Sequence, residues 1–178
     1  MTRHAQTGSD HDHALRENAR SRTGSAYTRF GVMIAASTAI MLVLMYLNTY
    51  QWDHVAWSET RAYMALLMGA TMALMMLAFM PHMYTSRVAN IVIAATAIFV
   101  WSASLYLVRS QATVDDLDYM KAMIPHHSIA VLTSRRAQIE DSRVRKLADQ
   151  IIETQLREIA EMKGLISELD SRKAGAGR

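Results

Sequence analysis

Three stretches of this chain carry no charged side chain and are long enough to cross a bilayer: Phe30–Tyr50, Tyr63–Met80 and Val88–Val108. A helix needs about 20 mostly apolar residues to span the hydrocarbon core, so three such runs in succession predict three transmembrane helices. Aromatic residues gather at their ends, with Tyr27, Phe30, Tyr50, Trp52, Trp57, Tyr63, Tyr84 and Tyr106 forming an interfacial belt. The first run is too long, and the tail ahead of it too extended, for a cleaved signal peptide. It is read as a retained span, and the lipid bilayer is the first partner the sequence implies.

Charge orients the spans. The tail holds Arg3, Arg16, Arg20, Arg22 and Arg29, whereas the loop Gln51–Arg61 holds one arginine against Asp53 and Glu59, and the next loop holds Arg87. By the positive-inside rule the N-terminus is cytoplasmic, and three crossings put the C-terminal part on the periplasmic side of a bacterial inner membrane. Arg109, just past the third span, runs against this assignment. The expected organisation is a disordered tail over 1–29, a three-helix membrane region over 30–109, a helical hairpin over 111–170 and a disordered end over 171–178.

Of the 178 residues 51% are hydrophobic, and nearly all of that weight lies between Phe30 and Val108. From Gln111 onward 11 Lys/Arg balance 11 Asp/Glu, so nothing resembles a nucleic-acid footprint. Cysteine is absent, which removes disulfides and thiolate metal sites from consideration, while methionine occurs 14 times.

The run Thr113-Val114-Asp115-Asp116 reads as a capping-box start with Asp in place of Glu. Leu117, Met120, Ile124, His127 and Val131 then share one helical face, interrupted by Pro125, which is expected to kink the helix. Asp141 is placed to cap a second helix. Its seam is Val144, Ala148, Ile151, Gln155, Glu158, Met162, Leu165 and Leu169, the pattern of a helix packed on another helix. Folding the pair about Asp141 brings residues whose numbers sum to roughly 282 level, because both helices rise about 1.5 Å per residue. His127 then faces Gln155, Met123 faces Glu158 and Ile159, and Met120 faces Met162.

Thioether sulfur is a soft ligand and imidazole a borderline one, a combination that suits Cu(I), with Cu(II) or zinc as further candidates. The candidate ligands are His126, His127, Met120, Met123 and Met162. Gln155 and Glu158 fit as partners that hold an imidazole N–H. Adjacent residues on a helix point about 100° apart, so His126 and His127 cannot both face the same partner helix squarely. The second span carries Met64, Met68, Met72, Met76 and Met80 at steps of four, a candidate copper path; methionine is also an ordinary apolar residue facing lipid or a neighbouring helix. His54 and His82 fall at opposite membrane surfaces as solvated loop residues or relay ligands. The tail also holds His11 and His13, and loss of Met1 would leave Thr2-Arg3-His4, whose free amine and third-position imidazole make a weak square-planar Cu(II) pattern.

The stretch Asp118–Leu165 resembles the domain of unknown function 305 family, whose pattern pairs Met and His-His on one helix with Gln, Glu-Ile and Met on the next. Here those positions are Met123, His126, His127, Gln155, Glu158, Ile159 and Met162. The resemblance implies a ferritin-like all-α hairpin and periplasmic or exported copper binding. Many members carry a further Met where this chain has Thr133, so one thioether is missing. The resemblance does not extend to iron chemistry, since a di-iron bundle needs Glu-x-x-His motifs that this chain lacks.

A single hairpin supplies half of a four-helix bundle, so a homodimer or higher oligomer is expected. The sequence thus points to an all-α, membrane-anchored protein that captures or buffers copper, with a copper-handling protein as a further partner. Two other readings stay open: a hairpin that only assembles or docks partners without metal, and copper transport along the methionines of the second span. No nucleophile–base pair, phosphate loop or open carboxylate pair points to an enzyme, and copper redox chemistry stays open.

Overall fold

In the computed structural model the described residues are 3–176, with side chains described over 24–175. Five helices are formed: α1 (Arg3–Leu44), α2 (Glu59–Phe79), α3 (Arg87–Ser110), α4 (Asp116–Arg136) and α5 (Ser142–Ala176), with a one-turn 3₁₀ helix at Trp52–His54. No strand occurs among the described residues. Gly24–Leu44, Glu59–Phe79 and Arg87–Ser110 are long and apolar enough to cross a membrane. The helix of the first span therefore ends at Leu44, short of the Tyr50 expected from the apolar run. The helix unwinds early, because Tyr46 N–H already donates to Val43 O (3.0 Å) and Leu47 N–H to Leu44 O (3.1 Å). These shorter i→i+3 bonds tighten and end the helix.

At the other end of α1, Gly24–Arg29 are helical rather than part of a disordered tail. The tail histidines His4, His11 and His13 lie outside the residues whose side chains are described. α5 likewise continues to Ala176 through the expected disordered end. Its last turns contain no helix breaker before Gly175, and Arg172 pairs with Glu168 (3.9 Å) one turn back.

The chain divides into two compact units, Met1–Ala39 with Leu66–Ala103, and Ile40–Ala65 with Ser104–Arg178. In the first, Phe30, Ala70, Ala73, Tyr84 and Ala97 form a buried cluster, against which Ile34, Leu74, Met76, Ile93 and Val100 pack. Three of those five centres are alanine. Small residues are the rule where helices meet in lipid, because packing rather than hydrophobic burial drives their association there. Gly69 is the extreme case: a Cβ at this position would collide with Thr38 Oγ1 of α1. Tyr27 adds a polar clasp, its hydroxyl donating to Asn90 Oδ1 (2.7 Å) and accepting from Ser86 N–H (3.2 Å).

In the second unit α4 and α5 pack as an antiparallel hairpin. Leu117, Met120, Ile124 and Val131 of α4 are buried against Ala148 and Ile159 of α5. The true N-cap of α4 is Asp115, whose carboxylate accepts from Asp118 N–H (2.9 Å). Thr113 instead donates its hydroxyl to Glu59 (3.0 Å), so the capping signal lies two residues later than Thr113. α4 is helical throughout across Pro125, which is buried. Asp141 caps α5 as expected, accepting from Arg143 N–H (2.8 Å) and Val144 N–H (3.4 Å).

Replacing Gly69 by Val is expected to destabilise the α1–α2 contact by about 1–3 kcal/mol, the usual cost of overpacking. Thermal unfolding in detergent checks this, and Thr38→Ala in the same chain is expected to recover part of the loss. An unchanged midpoint in the single variant would mean that the two helices do not approach this closely.

Candidate metal-binding groove

Side chains on a helix lean toward its N-terminus. In an antiparallel pair the two leans are opposed, so residues whose backbones are not level can still meet. That is the situation of His127 and Glu158. The backbone register expected from the sequence puts His127 opposite Gln155. The observed contact is instead His127 Nε2 to Glu158 Oε2 at 2.9 Å, since the imidazole leans down α4 and the carboxylate leans up α5 to meet it. Gln155 sits behind, its Nε2 donating to the same Glu158 oxygen at 3.4 Å.

The other ring nitrogen, Nδ1, lies 3.0 Å from the Met123 carbonyl. A carbonyl only accepts, so Nδ1 carries the proton. Nε2 faces the Glu158 carboxylate and shares a second proton with it, and only loss of that proton leaves the lone pair a metal would use. The pair is half-shielded, with 17% of the His127 side chain and 40% of the Glu158 side chain exposed.

This pair opens onto a groove of about 620 Å³ running along the hairpin, lined among others by Met120, Met123, His127, Glu158, Glu161 and Met162. Four of the five ligands expected from the sequence therefore share one cavity. His126 does not. It is exposed and lines a second cavity of about 620 Å³ with Ser58, Arg61, Gln111, Asp116 and Tyr119. The two imidazoles diverge, their ring centres 6.2 Å apart and their planes 68° apart. Met123 alone of the sulfur residues borders both cavities. Thr133, at the position where a further thioether is missing, is exposed and bonds back to Ile129 O (3.0 Å) on its own helix.

Among the described residues, no three His, Cys, Asp or Glu side chains come together in a way that could hold a metal ion. The groove instead offers one imidazole with Glu158 against it, three thioethers, and the carboxylates of Asp116, Glu161 and Glu168 along its walls. On α5 the buried residues are Ala148, which lies on the expected seam, and Ile159, one position off it, while Val144 and Leu165 are 50% and 43% exposed. A third element, the turn after α1, lies against α4.

That turn contains residues the sequence reading missed or misplaced. His54, read as a solvated loop residue or a relay ligand, is 3% exposed. Its Nδ1 lies 2.9 Å from the hydroxyl of Ser128, which is itself fully buried. Tyr50 N–H donates to the same hydroxyl at 2.7 Å. Asp53 pairs with Lys163 of α5 at 2.7 Å, and that ammonium holds its carboxyl below the ordinary value. The one available signal was Ser128 itself, a polar residue one step off the apolar face of α4. In α2, Met76 packs on the buried cluster and Met68 and Met72 are half-buried. Met64 and Met80 are each 38% exposed, so the methionines do not share one environment.

The family described as "Domain of unknown function (DUF305)" matches residues 116–178, which are α4, α5 and the turn between them. A protein of Acanthamoeba polyphaga mimivirus, "Uncharacterized protein L153", is 37% identical over 109 residues, covering 60% of this chain and 69% of its own length. The chain belongs to the DUF305 family. The viral relative matches more of the chain than the DUF305 hairpin alone. A contiguous match of that share of 178 residues necessarily takes in most of α3. No solved structure matches this DUF305 chain.

Removing either partner of the His127–Glu158 bond tests whether it stands in solution. A double-mutant cycle with His127→Ala and Glu158→Ala is expected to give a coupling of about 0.5–1 kcal/mol in thermal unfolding, as a half-exposed pair should. Strict additivity of the two changes would show that the bond is not held.

Proposed function

We propose that this chain is a membrane-anchored metal-binding protein whose hairpin captures or buffers copper, with Cu(I) as the favoured ion. The observation that carries this reading is the convergence of His127, Met120, Met123 and Met162 on one groove, with Glu158 against the imidazole. Soft thioethers with a borderline imidazole are the donor set that Cu(I) favours. Cu(II) and zinc do better with more nitrogen and oxygen. The Met123 carbonyl holds the imidazole proton on Nδ1, and so orients Nε2 toward the groove. Glu158 covers Nε2 when no ion is held, and must swing aside or give up its hydrogen bond for Nε2 to ligate. Uptake therefore releases any proton shared between them.

Two features support the setting. The arginine-rich segment ahead of the first span favours a cytoplasmic N-terminus and hence a periplasmic hairpin. Tyr119 and Leu165, 56% and 43% exposed beside the groove, leave apolar surface that a second copy of the hairpin would cover in a four-helix bundle. A copper-handling partner would then receive the ion from an assembly of this chain.

The test is an anaerobic Cu(I) titration of the full chain in lipid nanodiscs against a competing chelator, with X-ray absorption on the complex. A stoichiometric site with mixed nitrogen and sulfur ligation is expected. His127→Ala is expected to weaken it at least tenfold, and His126→Ala to weaken it far less because that ring lines the other cavity. Equal affinity in wild type and His127→Ala would overturn the assignment and leave the hairpin as an assembly module.

A further inference from the structure

The turn between α1 and α2 reaches both helices of the hairpin, and it does so one residue beyond each of two groove residues. On α4 it holds Ser128, the neighbour of His127; on α5 it holds Lys163, the neighbour of Met162. Successive helix residues point about 100° apart. An anchor at 128 and another at 163 therefore fix the rotation of α4 and α5 about their own axes, and with it the direction in which 127 and 162 point.

The anchor on α4 is the stronger. Ser128 Oγ accepts from Tyr50 N–H at 2.7 Å and lies 2.9 Å from His54 Nδ1, which can take the hydroxyl proton, so this buried hydroxyl is partnered on both sides. Losing one partner leaves another buried and unpaired, which is the expensive case. The α5 anchor, Asp53 to Lys163, is more exposed and weaker.

We propose that the Tyr50–His54 turn sets the geometry of the His127 groove, with His54 as its positioning residue acting through Ser128. The role deepens the copper reading and rests on that reading only for its effect on affinity. The groove needs a device of this kind because the α4–α5 pair is open on the groove side, where apolar side chains remain exposed. On that side the half-exposed His127–Glu158 bond crosses between the helices, and a single pair of this kind resists their rotation only weakly.

A dependence on pH follows. Burial holds the His54 imidazole below its ordinary value of 6.5; Asp53 opposes this and Lys163 adds to it. Those two, with the neutral Ser128 on α4, are the groups that face the ring, and Arg135 of α4 bonds Tyr50 OH (2.6 Å) nearby. The released turn binds a proton more readily than the docked one. Docking is therefore fully favoured above about pH 6.5 and weakens as pH falls below that value.

Two readouts on the full chain in nanodiscs test this without metal: hydrogen exchange at the Tyr50 amide, and ¹⁵N signals of the His127 ring. His54→Ala is expected to lower Tyr50 protection at least tenfold and to shift the His127 signals. His54→Asn, whose side-chain oxygen can accept from Ser128, is expected to restore both. In wild type, Tyr50 protection corrected for intrinsic exchange should drop as pH falls below 6.5, and in His54→Asn it should not. Asp53→Asn, an exposed change that does not threaten folding, reads the α5 anchor and is expected to shift the His127 signals slightly.

With Cu(I) added, His54→Ala is expected to bind about tenfold more weakly than wild type. Loss of Tyr50 protection with unchanged His127 signals would overturn the positioning role. A wild-type chain that binds no copper, with the His127 signals still shifted in His54→Ala, would sink the copper reading while leaving the positioning role intact.

Discussion

Two helices that each bury a single stripe leave both flanks of their contact open, and in this chain only one flank is covered. The turn following α1 covers it, anchored through a hydroxyl with no exposure to solvent. A buried hydroxyl has to be satisfied. Neither α4 nor α5 supplies the partners for Ser128; the Tyr50 amide and the His54 ring do. The hairpin is thus a three-part construction of α4, α5 and the turn that follows α1.

With one flank closed, the chemistry collects on the other. His127, Met120, Met123 and Met162 face the open groove there, while His126 turns about a quarter of the way round α4 toward the loop at the head of α2. The adjacent histidines therefore serve different surfaces, and Met123, one turn below them, borders both. An ion that changed cavities would have Met123 sulfur as the donor common to both sides.

Much of this was legible in the chain. Uncharged runs of sufficient length marked the three spans, and periodicity marked both hairpin helices with their facing polar residues. What periodicity could not carry was the lean of side chains along each helix, which moved the His127 contact from Gln155 to Glu158. Nor could it show that α1 stops at Leu44, since Met45–Tyr50 continues uncharged and only hydrogen bonding ends the helix. His54 and Ser128 lie 74 positions apart, and no local pattern relates them. A buried histidine in an aromatic loop looks like any interfacial histidine until its partner is seen.

The hairpin is pinned along its whole length. Arg145 reaches the Ser134 carbonyl (2.9 Å) near the turn, and Lys173 meets Asp115 (3.8 Å) where α4 begins. Each contact is weak singly, but sliding one helix past the other by a turn of about 5.4 Å would break them together. Were an ion held in the groove as proposed, the helices parting lengthwise would not be its way out. The open flank would be, and there an incoming acceptor could attach before the old bonds were given up. Exchange would then follow the supply of acceptor rather than the breathing of the protein.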